Sequence, residues 1–189
     1  MTTEPAPLIE HLESNLGRIE SGWNSEERAD PAIQVVEFRG GKIAGVTVIC
    51  TLGLSSFALE SSVTKKQIRQ ELFIMVKDGQ LDSRLLAILD HIARESVRTD
   101  RPLLRGEVVE KQNPVLRERN FVALYATLPV YYPDSFWTLQ DEDQGDVAFG
   151  WLLPIKRKEE SYVRQNGWPA FEELLDKAKF DLFDRPSLL

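Results

Sequence analysis

Cysteine is nearly absent. Cys50 stands alone among 189 residues, so no intramolecular disulfide can form. It falls inside an apolar run, where a thiol is inert packing because its thiolate is disfavoured. Histidine occurs only as His11 and His91. No HExxH, no CxxC and no histidine pair at ligand spacing is present, which excludes the common zinc sites. Each histidine flanks the apolar stripe of a predicted helix and reads as a boundary residue, since a base needs a partner to orient it. Gly53-Leu54-Ser55-Ser56-Phe57 begins like a nucleophile elbow, but Phe57 stands where the second glycine belongs. The histidine that fold places late in the chain is missing too, because none follows His91. No GxxxxGK[ST] phosphate loop occurs. A hydrolase built on two carboxylates needs a pair with separated pKa values, and no such pair stands out.

Positive charge is in deficit. Lys and Arg number 23 against 30 Asp and Glu, a net charge of −7. That argues against a nucleic-acid binder, which neutralises phosphates with Lys and Arg, and against an electrostatic membrane anchor. A basic partner suits the balance better. No apolar run approaches the ~20 residues of a membrane helix. The opening Met1 to Pro7 carries neither a basic nor an apolar targeting segment. These absences predict a cytoplasmic, non-enzymatic protein with no cofactor, no metal, no nucleic acid and no membrane contact. The length suits one domain.

What is present has clear periodicity. Leu8, Leu12, Leu16 and Ile19 recur at helical spacing, and the surrounding residues are rich in acid. Residues 1–30 are therefore expected to be an amphipathic helix followed by a polar linker, with the domain proper over 31–189. Whether that helix packs on its own body or on a second copy is open. Residues 33–38 read as a strand and 43–52 as its return, with Gly40-Gly41 as the hairpin turn. In the return strand Val46, Val48 and Cys50 face one way, and Thr47, Ile49 and Thr51 the other. Residues 67–76 form a third strand, with Ile68, Leu72, Ile74 and Val76 on one face and Arg69, Glu71, Phe73 and Met75 on the other. From Leu81 to Val97 the period becomes 3.6, with Leu81, Leu85, Ile88, Leu89 and Ile92 as the stripe of a helix lying on the sheet. Further strands are expected at 107–109, 121–127 and 146–155. Helices follow at 157–165, ending at Asn166-Gly167, and from Pro169 to about 179. Strands, helix, strands and helices in that order give the α+β class, a mixed and mainly antiparallel sheet with helices packed on it.

Between Pro129 and Asp146 lies a loop of another character. It holds Tyr131, Tyr132, Phe136 and Trp137, then Asp141, Glu142, Asp143 and Asp146. The acids lack the spacing of a calcium loop and read as a solvated run. Tyrosine and tryptophan are common interface anchors, and carboxylates steer basic partners. Tyr131, Tyr132, Trp137, Asp141, Glu142, Asp143 and Asp146 are therefore the candidate partner-binding residues. The competing reading is that the aromatics cap the core beneath the loop.

Four stretches carry a family resemblance. They are Thr51-Leu52-Gly53-Leu54-Ser55; Gln70-Glu71-Leu72-Phe73-Ile74-Met75; Gly106-Glu107-Val108-Val109 with Asn113-Pro114; and Phe149-Gly150-Trp151-Leu152-Leu153-Pro154-Ile155. The last continues through Glu159, Glu160, Tyr162, Gly167-Trp168 and Phe171-Glu172-Glu173-Leu174-Leu175 to Asp184-Arg185-Pro186-Ser187. In this order, over about 31–189, the chain resembles the suppressor-of-fused family. The resemblance implies one α+β domain without enzymatic activity. Animal members are longer and bind zinc-finger transcription factors. This chain looks like the bacterial single-domain form, whose members are thought to be immunity proteins that neutralise a cognate polymorphic toxin. An intracellular adaptor with a non-toxin partner is the alternative. The matched residues also have structural readings. Gly53 suits a turn that a side chain would hinder, Pro154 is expected to end its strand, and Trp151 and Trp168 are expected in the core.

Overall fold

A computed structural model describes residues 7–23, 32–110, 121–142 and 145–177. Residues with β-branched and aromatic side chains at alternating positions build a nine-stranded sheet. Its strands are β1 (Gly17–Trp23), β2 (Gln34–Gly40), β3 (Val46–Leu52), β4 (Leu59–Glu60), β5 (Gln67–Lys77), β6 (Val108–Glu110), β7 (Phe121–Thr127), β8 (Thr138–Leu139) and β9 (Val147–Lys156). The order is β1-β2-β3-β5-β9-β7-β6, with β4 on β5 and β8 on β9. Among the described residues seven of the eight pairings are antiparallel; β5 and β9 run parallel, Arg69 facing Val147 through Phe73 facing Trp151. Both faces of the sheet are covered, so residues 46–51 of β3 and 70–76 of β5 are buried on both sides.

Helix α2 (Ser83–Arg98) covers one face. Asp82 caps it, accepting from the Arg84 amide at 2.9 Å. Its Leu85, Leu89, Ile92 and Ala93 meet Val35, Ile49, Leu72, Ile74, Leu124 and Leu152. The other face carries α1 (Pro7–Leu16), α3 (Arg157–Asn166) and α4 (Trp168–Lys177). There Leu12, Leu16, Val163 and Phe171 meet Phe38, Val48, Cys50, Phe73, Tyr125, Trp151 and Leu153. The alternation read from β3 and β5 assigns these faces as expected. Each fully buried Leu, Ile or Phe contributes about 1.5–3 kcal/mol. Exposed ion pairs such as Lys177–Glu173 are solvated and screened and add little. The two cores therefore decide the fold.

Four expectations need correction. The helical stripe stops at Leu16; Ile19 lies in β1, because Gly17 breaks the helix and residues 17–23 pair along β2 instead of forming linker. The rest of the expected linker and its boundary at 30/31 lie outside the described residues. Gly40-Gly41 is not a two-residue turn. Gly41 lies against the end of α1, where a Cβ would sit 2.4 Å from the Leu16 carbonyl oxygen. β9 runs through Pro154 to Lys156, because there it has left β5 and pairs only with β7, so a missing amide is tolerated. Trp168 is exposed, while Trp151 is buried as expected.

Candidate partner-binding surface

The loop after β7 separates its aromatics by depth. Tyr132 is buried, packing against Phe136 at 4.7 Å and edge-on to Phe73 at 6.2 Å. Burial pushes its phenol above the usual tyrosine range. Phe136 is fully buried, stacked on His11 of α1 and Phe149 of β9. Trp137 is half-buried and its indole donates to the Tyr132 carbonyl at 3.3 Å. These residues cap the core, so Tyr132 cannot offer its ring to a partner. Tyr131 remains 40% exposed and leans edge-on against Trp151 at 5.6 Å, next to Val130 at 55% exposure.

The acids also divide. Glu142 and Asp146 are exposed. Asp141 is half-buried and lines a cleft of about 180 Å³ with Leu8, Ser55, Ser56, Arg69 and Leu139. Asp143 lies outside the described residues. The structure therefore presents Val130 and Tyr131 on the surface and holds Asp141 beside the turn after β3. Among the described residues no group of three or more His, Cys, Asp and Glu is placed to hold a metal.

Two clusters were missed by sequence reasoning, and each is centred on an acid from the resembling stretches. The first centres on Glu71, wholly buried in β5. Its carboxylate accepts from Thr51 Oγ1 at 2.5 Å, from the Gly53 and Ser55 amides at 3.0 Å each, and from Ser55 Oγ at 2.7 Å. Thr51 Oγ1 in turn accepts from the Leu72 amide at 2.9 Å. Burial raises the pKa of Glu71, and the four donors pull against that rise. The turn can bring its amides here because Gly53 adopts φ +106°, where a Cβ would press on the Ala32 carbonyl at 2.7 Å. Arg69 locks the same turn from outside, donating to the Ser55 and Ser56 carbonyls at 2.8 and 2.9 Å. Glu71 could have been found from sequence, since it is the acid on the strand face shared with Phe73 and Met75.

The second cluster attaches α4. Glu172 accepts from Tyr125 Oη and Thr127 Oγ1 at 3.0 Å each, and from Arg105 Nε at 3.0 Å. The Arg105 guanidinium lies 4.7 Å over the Trp168 ring. Gly106 leaves room for that ring, since a Cβ there would stand 2.5 Å from Trp168 Cγ. Buried beside the Glu172 carboxylate, the Tyr125 phenol is pushed above its ordinary range. On the opposite face, a shallow groove of about 280 Å³ runs between α2 and β6, lined by Ile92, Pro102, Leu103 and Val109 with His91 at its rim. Among the described residues no helix is long and apolar enough to cross a membrane.

The sequence profile of the family described as Suppressor of fused protein (SUFU) matches residues 29–185. Among solved structures the fold is similar to a suppressor-of-fused homolog from Neisseria gonorrhoeae, with TM-score 0.73 and 20% identity over 97% of this chain and 95% of that one. It is similar to a chain of the Sufu–Fu complex, with TM-score 0.65 and 14% identity over 90% of this chain and 83% of that one. It is also similar to Drosophila Suppressor of Fused, with TM-score 0.58 and 10% identity over 82% of this chain and 42% of that one. No curated relative matches the sequence.

Proposed function

The chain belongs to the suppressor-of-fused family, and from that premise we propose that it is a non-enzymatic, cytoplasmic protein-binding domain that acts as a bacterial immunity protein, neutralising a cognate polymorphic toxin. The observation that carries the reading is the end-to-end correspondence with a bacterial homolog, 97% of one chain against 95% of the other. The partner face is the loop that presents Val130 and Tyr131, with Asp141, Glu142, Asp143 and Asp146. A net charge of −7 supports a basic partner, which these acids would steer to the surface. The second reading, an intracellular adaptor for a non-toxin protein, is favoured by the similarity to a chain crystallised in the Sufu–Fu complex.

Capture of the tagged protein from lysate of its native host, with mass spectrometry of what co-purifies, tests both. A stoichiometric partner with a toxic C-terminal domain, silenced by co-expression of this chain, supports the immunity reading. A stoichiometric regulator without toxicity replaces it with the adaptor reading.

A further inference from the structure

The sheet has an open side at β1, which pairs only with β2 among the described residues. Arg18 to Gly22 are all exposed, and Ile19 is among the exposed large apolar residues. Such a strand is a template for an added strand unless something blunts it. The Ile19 amide is one point on that edge. A strand amide points toward its neighbour or away from it, and this one donates to Glu13 Oε1 at 3.1 Å. An incoming strand would gain that amide and the Ile19 side chain at one position. Glu13 already fills it, and its charge faces any incoming carbonyl.

Glu13 also stands where helix physics disfavours it. It lies in the last turn of α1, at the negative end of the helix dipole, and no basic residue shares that turn. The local helix gives no reason for an acid there, whereas the Ile19 amide does. One residue on, the pairing with β2 slips between Ile19 and Ser21, a bulge that sets Glu20 outside the register. Bulges and charges are the common devices that spoil an edge for pairing. We infer that Glu13, with the bulge at Glu20, is a built-in guard that keeps the β1 edge from pairing with the β1 edge of a second copy of this chain.

The test is sedimentation equilibrium of the full chain and its variants, with amide hydrogen exchange on the wild type. The Ile19 amide should exchange at least about tenfold more slowly than an unbonded one, as a hydrogen bond to a charged group requires. Glu13→Ala should self-associate at least about tenfold more tightly than wild type, since the edge gains a free amide. Adding Ile19→Pro to that variant should abolish the gain, because proline removes the amide that an added strand would use. The inference is overturned by a Glu13→Ala protein no more associated than wild type, or by association that survives Ile19→Pro. An Ile19 amide that exchanges freely in the wild type overturns it without recourse to any variant.

Discussion

Glu71 is a carboxylate with no route to water, held by four donors from a single turn. Glu71→Ala would strand two amides and two hydroxyls, and we expect it to cost about 3–5 kcal/mol in urea unfolding at mildly acidic pH. The pH dependence has a definite sign. Burial raises the native pKa above that of the unfolded chain, so the native state binds this proton more tightly. The group's stabilisation is fully present below the ordinary carboxylate pKa and is lost as pH rises through the raised native value. The stability gap between wild type and Glu71→Ala should therefore narrow as pH rises across that window; a gap that widens refutes the direction. The face of Glu71 was legible from strand parity. Its partners were not, because Thr51, Gly53 and Ser55 stand 16 to 20 residues earlier and meet it only once β3 and β5 pair. Tyr131 and Tyr132 show the same limit. Adjacent aromatics in a loop carry no period, so the packing of Phe73 and Phe136 decided which turned inward.

Among the elements, α4 shows how one helix is attached by unequal contacts. Phe171 is fully buried and meets Tyr125 edge-on at 5.0 Å, Glu172 satisfies two hydroxyls, and Arg105 is half-exposed over an exposed Trp168. Phe171→Ala should cost about 3–5 kcal/mol by leaving a cavity. Glu172→Ala should cost about 1–3 kcal/mol by orphaning the Tyr125 and Thr127 hydroxyls, and Arg105→Ala no more than about 1 kcal/mol because its charge is solvated. Urea titration of the three variants gives the order, and an Arg105 penalty matching that of Phe171 would contradict it. The long elements were legible because burial imposes a period on them. β1 was not, since Arg18 to Gly22 are exposed and only the ladder to β2 makes them a strand. β4 and β8 are two residues long, too short for any period, and the parallel pairing of β5 with β9 joins residues such as Arg69 and Val147 that are far apart in sequence.

At the scale of the whole molecule, the resembling stretches meet in two clusters, around Glu71 and around Glu172, and both serve to fix turns and dock helices. They report the fold, which is why the family was legible while a binding surface was not. The surface has to be sought among residues the fold does not need, and the loop after β7 supplies Val130 and Tyr131 while the one after β8 supplies Glu142 and Asp146. Charge and apolar contact there should separate kinetically. Neutralising Asp141, Glu142, Asp143 and Asp146 to Asn or Gln should slow association with a basic partner about three- to tenfold at low salt and flatten its salt dependence, because screening reaches about 10 Å at 0.1 M. Tyr131→Ala should leave that rate within about twofold and speed dissociation instead, as loss of a packed anchor does. Surface plasmon resonance across salt concentrations reads both. If the acid variant dissociates faster at an unchanged association rate, the carboxylates make close contacts and do not steer. If neither variant alters either rate, the partner binds elsewhere, and the exposed Trp168 platform with Arg105 becomes the next surface to replace.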